Sequence, residues 1–156
     1  MKMIRLLTAL VIPALVFVSC KKDTTTTPTA ASSYFQCKID GKDYKVEGTL
    51  AYGFNFDTEF GVYGLTGDGN QETCFITIPG GTTKGTYAFD TKFRGNYTDL
   101  AKVDYSSLWG SGSGSVTIDA IDAKHVAGTF YFTAYDGNTA TTKKTITEGK
   151  FNVLFR

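Results

Sequence analysis

Residues 125–135 read HVAGTFYFTAY, the longest stretch of the chain with alternating apolar residues. Apolar residues occupy every second position from Val126 to Ala134. A period of two residues places these side chains on one face of an extended strand. Aromatic and β-branched residues also favour strands over helices. The stretch therefore predicts a long strand with one buried face, formed by Val126, Gly128, Phe130, Phe132 and Ala134.

The same alternation occurs on both sides of this stretch. The clearest further segments are residues 34–39, 72–78, 115–121 and 143–155. Turn sequences such as Asp40-Gly41 separate the segments, and no segment after residue 33 has a helical period. We therefore expect residues 34–156 to form an all-β domain, an antiparallel β-sandwich or barrel of about eight to ten strands.

The last predicted strand contains a break in its pattern. Phe151, Val153 and Phe155 share one face, but Ile146 is out of phase with them. A bulge inserts one extra residue into a strand and restores the phase of the side chains beyond it. We expect such a bulge at Glu148-Gly149, because glycine is a common bulge residue.

The N-terminal 19 residues have the organisation of a signal peptide. Lys2 and Arg5 precede an apolar segment, residues 6–18, which is too short to cross a hydrocarbon core of roughly 30 Å as a helix. The segment ends in Phe17-Val18-Ser19-Cys20, which resembles the lipobox of bacterial lipoproteins. The resemblance implies that residues 1–19 are removed and that Cys20 carries the lipid, including a palmitate-type acyl chain. The alternative is a plain secretory signal with an incidental cysteine.

Residues 20–33 contain the lipidated cysteine and a Thr-rich segment, DTTTTPTAASS, at residues 23–33. This composition predicts a disordered tether, because it cannot bury enough apolar surface to offset its ordering entropy. Lys21 follows the cysteine in place of the Asp that resembles an inner-membrane retention signal, so sorting to the outer membrane is expected. Lys22-Asp23 resembles the signal that exports lipoproteins of the Bacteroidota to the cell surface. We therefore expect a lipid-anchored protein of the bacterial envelope at the outer membrane, on either face.

The charge of the chain argues against nucleic acid as a partner. It has 16 Lys and Arg against 15 Asp and Glu, and a formal net charge of +1. A nucleic-acid-binding domain would carry a basic face or stripe. The expected partners are the membrane, through the lipid anchor, and a glycan or a protein.

Several strand and hairpin sequences resemble a group of small Bacteroidota lipoproteins of unknown function. They are CKIDGK at 37–42, GTY at 85–87, GSVTI at 114–118, VAGTFYFTA at 126–134 and ITEGKFNV at 146–153. The resemblance implies an all-β envelope domain. It implies no established activity and no site.

Cys37 and Cys74 remain once Cys20 is assigned to the lipid. Each lies on the apolar face of its predicted strand, beside Ile39 and Ile76 respectively. A disulfide between them is one reading, because the envelope is oxidising. Two buried thiols that behave as small apolar side chains are the other.

Trp109 lies in the Gly/Ser-rich loop 108–114, close in sequence to Tyr97 and Tyr105. An aromatic residue on such a loop suits stacking on a sugar ring or contact with a partner protein, so these three residues are the candidate ligand contacts. The alternative is that Trp109 folds back over one end of the domain.

No catalytic residue, metal ligand or cofactor site is predicted. His125 has no second imidazole and no nucleophile in a recognisable motif. The turns at 68–70 and 136–138 are Asp-Gly-Asn sequences, which hairpins explain without calcium. We expect a non-catalytic binding or interaction module. The alternatives are a hydrolase of envelope or glycan substrates, and a structural accessory subunit of an outer-membrane assembly.

Overall fold

A computed structural model describes residues 32–67 and 71–156, which form strands joined by turns and loops. Its strands are β1 (Tyr34–Ile39), β2 (Lys42–Glu47), β3 (Ala51–Asn55), β4 (Glu59–Leu65), β5 (Thr73–Pro79), β6 (Gly85–Ala88), β7 (Arg94–Thr98), β8 (Asp104–Ser106), β9 (Ser113–Ile121), β10 (His125–Asp136) and β11 (Lys143–Leu154). These segments contain no α-helix, only a 3-10 turn at Gly48–Leu50. No helix in them is long and apolar enough to cross a membrane. The predicted signal peptide, Cys20, the predicted tether up to residue 31 and the Asp68 turn lie outside the described residues.

Nine strands form one antiparallel sheet in the order β2-β1-β11-β10-β8-β7-β5-β4-β3. The sheet curves into a nearly closed barrel. β9 pairs with β10, and β6 pairs with β9, so these two strands extend the sheet beside the main path. The expected all-β antiparallel fold is confirmed, and of the two expected architectures the structure has the barrel.

β10 is the central strand of the core. Its predicted inner face is confirmed, because Val126, Phe130, Phe132 and Ala134 are at most 3% exposed. The Phe130 ring lies 5.0 Å from the Phe35 ring of β1, measured between centroids. β10 also pairs with β11 along one edge and with β9 and β8 along the other. Residues 125–135 therefore occupy the centre of both the sheet and the core.

The bulge predicted at Glu148-Gly149 is present. Phe132 of β10 pairs with Ile146, whereas Phe130 pairs with Gly149, so one extra residue of β11 lies between them. Ile146 is 1% exposed as a result. The residue with the left-handed backbone conformation is Glu148, at φ 54°, and not the glycine.

The structure has more strands than the eight to ten expected. Gly48 divides the segment 44–52 into two strands, because its φ of 65° begins the turn between β2 and β3. β7 (RGNYT) has little apolar alternation in its sequence. Its inner face contains Gly95, where a Cβ atom would lie 2.5 Å from the Phe132 ring. A strand with a glycine at an inward position has a weak alternation in sequence.

The barrel has a seam between its two end strands. Within the described segments, β2 pairs only with β1, and β3 forms a ladder only with β4. An isolated parallel bridge joins Gly53 of β3 to Phe155, just after β11. The Tyr44 hydroxyl of β2 also donates to the Gly64 carbonyl of β4, at 2.7 Å. The seam is therefore closed by a few local contacts and not by a strand ladder.

Candidate functional site

A cavity of about 410 Å³ opens at one end of the barrel, and we call it the end pocket. It has two walls on opposite sides of the seam. The hairpin wall, from β1 and β2, is formed by Ile39, Asp40, Lys42, Asp43 and Tyr44. The loop wall, from the start of β5, the end of β7 and the loop after it, is formed by Glu72, Tyr97, Asp99, Leu100 and Ala101. Lys144 of β11 completes the lining beside Asp40.

Two tyrosine hydroxyls lie in the depth of the end pocket. Tyr97 donates to Glu72 Oε1 at 2.5 Å, and Tyr44 donates to the backbone carbonyl of Glu72 at 3.2 Å. Burial raises the pKa of Tyr97, and the hydrogen bond to Glu72 raises it further. Burial likewise raises the pKa of Tyr44. Both phenols therefore stay neutral and act as fixed hydrogen-bond donors.

The rim of the hairpin wall is held by Asp40. Its carboxylate accepts from the Thr145 amide at 2.9 Å and from Lys144 Nζ at 3.1 Å. Partial burial raises the pKa of Asp40, but these two donors outweigh burial and lower the pKa below its usual value. Lys144 Nζ also lies 5.6 Å from the centre of the Tyr105 ring. The lysine therefore has a defined position at the mouth of the pocket.

Asp99 shapes the loop wall. Its Oδ1 accepts from the Val103 amide at 3.0 Å, and its Oδ2 lies 3.4 Å from the Tyr105 hydroxyl. Lys102, within this turn, has a φ of 63°. The carboxylate therefore fixes a tight turn and places Leu100, which is 52% exposed, at the mouth.

The pocket lining is mixed in charge and polarity. Its carboxylates are those of Asp40, Asp43, Glu72 and Asp99, and its ammonium groups are those of Lys42 and Lys144. Ile39, Leu100 and Ala101 add apolar surface. Within residues 32–67 and 71–156, His, Cys, Asp and Glu side chains do not gather in groups of three or more that could hold a metal ion. The lining can bind a small polar ligand through charged hydrogen bonds and apolar contacts.

The three aromatic residues chosen from the sequence do not form one exposed platform. Tyr97 and Tyr105 pair across β7 and β8, and they are only 3% and 5% exposed. Neither ring can therefore serve as an exposed stacking platform, and of the two residues only Tyr97 is part of the pocket lining. Trp109 is 38% exposed and lies over Gly137, where an added Cβ atom would be 2.8 Å from the indole. Trp109 folds back onto the β10–β11 turn. No ligand contact of these residues has been tested, so that role stays a prediction.

The pocket residues that sequence reasoning missed are Asp40, Glu72, Asp99 and Lys144. Each belongs to a turn or to the end of a strand, where acids and lysines are ordinary surface residues. They come from distant parts of the chain, so no local spacing marks them. The signal that was available is the Asp40-Gly41 turn, which places Asp40 at an end of the barrel.

The other residues considered as candidates, which are His125, Asp136 and the two cysteines, all have structural contacts or lie in the core. His125 Nε2 lies 2.5 Å from Asn152 Oδ1, on neighbouring strands. The Asp136 carboxylate accepts from the amides of Asn138, Thr139 and Thr142, which fixes the β10–β11 turn. Cys37 and Cys74 are both buried and are present as free thiols. Their disulfide stays a prediction.

Comparison with known proteins gives one match. A protein-family model described as "Domain of unknown function (DUF6252)" matches residues 31–154. Neither the curated proteins nor the solved structures contain a match.

Proposed function

The chain belongs to the DUF6252 family of domains of unknown function, and we propose that it is a lipid-anchored, non-catalytic binding module of the bacterial envelope. The proposed ligand is a saccharide of one or two rings, held in the end pocket. The single observation that carries this proposal is the pocket itself, with its size and its mixed lining.

The volume of the end pocket, about 410 Å³, falls within the range of small-molecule sites, roughly 300–1,000 Å³. Sugar hydroxyls both donate and accept hydrogen bonds, so carboxylates and ammonium groups in one lining can bind adjacent hydroxyls. The C–H faces of a sugar ring need apolar contacts, which Ile39 and Leu100 can provide. A purely acidic or purely apolar lining would suit such a ligand less well.

Binding is favoured over hydrolysis by the state of the carboxylates. A general acid for glycoside hydrolysis needs a raised carboxyl pKa and a second carboxylate facing it across the substrate. The pKa of Asp40 is lowered instead. Glu72 accepts from Tyr97, and Asp99 accepts from Val103 in a turn. These carboxylates are held as hydrogen-bond acceptors.

The position of the pocket is consistent with an anchor at the N-terminal side. Ser33 contacts the barrel at the Tyr34 end of β1, where its carbonyl accepts from Gly48 at 2.8 Å. The pocket lies beyond Ile39, at the other end of this strand. At about 3.3 Å per residue the two ends are roughly 20 Å apart. A chain anchored through Cys20 would therefore hold the pocket away from the lipid.

A glycan array probed with the labelled protein tests the ligand, followed by calorimetric titration of any hit. Lys42→Ala and Asp43→Ala should each weaken binding by about tenfold, because each removes one charged hydrogen bond to the ligand. Glu47→Ala is the matched control on the same strand, since Glu47 is not part of the pocket lining and contacts the exposed Lys45. Its affinity should be unchanged.

Two results would contradict this proposal. The first is equal binding by wild type, Lys42→Ala and Asp43→Ala. The second is release of reducing sugar from an array hit that Asp99→Asn abolishes, since that would identify a hydrolase.

The anchor is tested separately by Cys20→Ala. The wild-type protein should fractionate with membranes and require detergent for release, whereas the variant should be found in the soluble fraction. A variant that still fractionates with membranes would refute the lipid anchor.

A further inference from the structure

Cys37 and Cys74 lie on opposite sides of the seam. Cys37 is the fourth residue of β1, on the strand that carries the hairpin wall, and Cys74 is the second residue of β5, on the strand that carries the loop wall. β1 and β5 are separated in the sheet by β11, β10, β8 and β7. The two cysteines therefore meet across the interior of the barrel and not through a strand ladder.

The two thiols are neighbours in the core, and both residues are at most 5% exposed. Cys37 pairs with Tyr44 and Cys74 pairs with Gly64, and the Tyr44 hydroxyl donates to the Gly64 carbonyl at 2.7 Å. Burial raises the pKa of Cys74, and the neighbouring Cys37 thiol raises it further. Cys37 alone reaches a small surface cavity of about 240 Å³, lined also by Gln36 and Glu148. One sulfur of the pair is thus closer to solvent than the other.

We propose that Cys37 and Cys74 form a disulfide that links the two walls of the end pocket across the seam and sets the distance between them. This inference rests on the proposed function in one respect, which is that an envelope location provides the oxidant. The oxidant is a disulfide, carried by a protein or by a small molecule.

The reaction is an exchange of thiols and disulfides. The Cys37 thiolate attacks one sulfur of the oxidant, and the other sulfur of the oxidant leaves as a thiolate. The Cys74 thiolate then attacks the Cys37 sulfur of this mixed disulfide and displaces the second sulfur of the oxidant. The protein loses two protons and two electrons, and the oxidant is reduced to two thiols. Burial disfavours the Cys74 thiolate. We therefore expect Cys74 to attack the mixed disulfide during folding, before the seam closes and buries it.

The link would act on the site through Tyr44. This residue follows the hairpin turn, pairs with Cys37 in the β1–β2 ladder, and donates across the seam to Gly64 and to the Glu72 backbone. With the disulfide formed, β1 and β5 cannot separate, so these hydrogen bonds are held in place. With the disulfide reduced, the hairpin wall is joined to the loop wall by non-covalent contacts alone.

The first test counts thiols in the full chain, purified from membranes in detergent. The protein is denatured and treated with N-ethylmaleimide, with and without prior reduction, and peptides are analysed by mass spectrometry. We expect Cys37 and Cys74 to be modified only after reduction. Modification of both residues without reduction would overturn the proposal.

The second test compares hydrogen exchange in oxidised and reduced wild type. Amides of β2 should exchange at least about tenfold faster after reduction, whereas those of β10, in the middle of the sheet, should not change. The Cys37→Ala/Cys74→Ala variant should match the reduced protein and respond to no reductant. Equal exchange in β2 before and after reduction would overturn the role in spacing the walls. Neither measurement uses a saccharide, so a failed glycan array would refute the ligand and not this link.

Discussion

Among single residues, Tyr44 helps to close the barrel at the seam. It is 5% exposed, and its hydroxyl makes hydrogen bonds that join β2 to β4 and to the residue before β5. Its ring also meets Phe35 edge to face, with centroids 6.4 Å apart. The ring thus belongs to the core, while the hydroxyl serves the seam and the pocket.

Tyr44→Phe separates these two roles. It should lower the free energy of unfolding by about 1–3 kcal/mol, because the buried hydrogen bonds are lost while the ring stays in place. Urea unfolding measures the change. Tyr131→Phe is the control, since Tyr131 is 60% exposed, and it should change stability by less than about 0.5 kcal/mol. Equal effects of the two substitutions would contradict a structural role for the Tyr44 hydroxyl.

Asp136 predicts an acid dependence of stability. Amide donors, first that of Thr139 and then that of Thr142, lower its pKa to about 2 from the ordinary value of 3.8, although burial opposes them. The folded state therefore binds fewer protons than the unfolded state between these values. The stabilisation is complete above pH 4 or so and is lost as the pH falls through about 2.

Thermal unfolding between pH 5 and pH 2 measures this dependence in wild type and Asp136→Asn. The variant should be less stable at pH 5, because both carboxylate oxygens of Asp136 accept hydrogen bonds and only the oxygen of an asparagine amide can do so. It should also lose less stability on acidification than wild type does. Parallel pH curves for the two proteins would refute the assignment to Asp136.

At the scale of elements, the bulge in β11 decides which residues of that strand are buried. Glu148 has the left-handed conformation, whereas Gly149 lies so close to β10 that a Cβ atom would be 2.5 Å from the Phe130 carbonyl oxygen. The two neighbouring residues thus meet different requirements. One needs tolerance of a positive φ, and the other needs the absence of a side chain.

The pair of substitutions Gly149→Ala and Glu148→Gly distinguishes these requirements. Gly149→Ala should destabilise the protein by about 1–3 kcal/mol, because the strands must separate to admit the methyl group. Glu148→Gly should change stability by less than about 1 kcal/mol, since relief of the positive φ offsets the loss of an exposed ion pair with Lys38. Chemical denaturation measures both, and a reversed order would contradict this account of the bulge.

At the scale of the whole molecule, the barrel depends on a short closing contact. Phe155 bridges to Gly53, and its ring meets Phe60 at a centroid distance of 5.2 Å. The Arg156 guanidinium lies 4.1 Å from the centre of the Tyr52 ring, and the Arg156 amide donates to the Gly53 carbonyl at 3.0 Å. Phe155 and Arg156, which follow the last strand, therefore close the barrel beside β3.

Phe155→Ala should open this contact. We expect the free energy of unfolding to fall by about 2–4 kcal/mol. This is slightly less than for a fully buried phenylalanine, because Phe155 is half-buried. Hydrogen exchange should increase in β3 more than in β10. The control is Leu154→Ala, since Leu154 is 49% exposed, and it should have little effect. Unchanged exchange in β3 would show that other contacts close the barrel.

Features of the candidate site that depend on neighbouring residues could be predicted from the sequence, whereas features that depend on distant residues could not. The inward positions of Cys37 and Cys74 were predicted from alternation, and both are buried. The end pocket was not predicted, because Asp40, Glu72, Asp99 and Lys144 resemble ordinary turn residues until the strands are assembled. Trp109 was chosen by residue type, although its indole lies over Gly137 in the β10–β11 turn.

Local sequence was enough to predict the long strands, their buried faces and the bulge in β11. Each of these depends on alternation within about ten neighbouring residues, which residues 125–135 show most clearly. The barrel, the seam and the end pocket became evident only once the strands were assembled. These depend on which strands meet across the core and on close approaches such as Gly95 against Phe132. Such contacts join distant parts of the chain, so no period in the sequence records them.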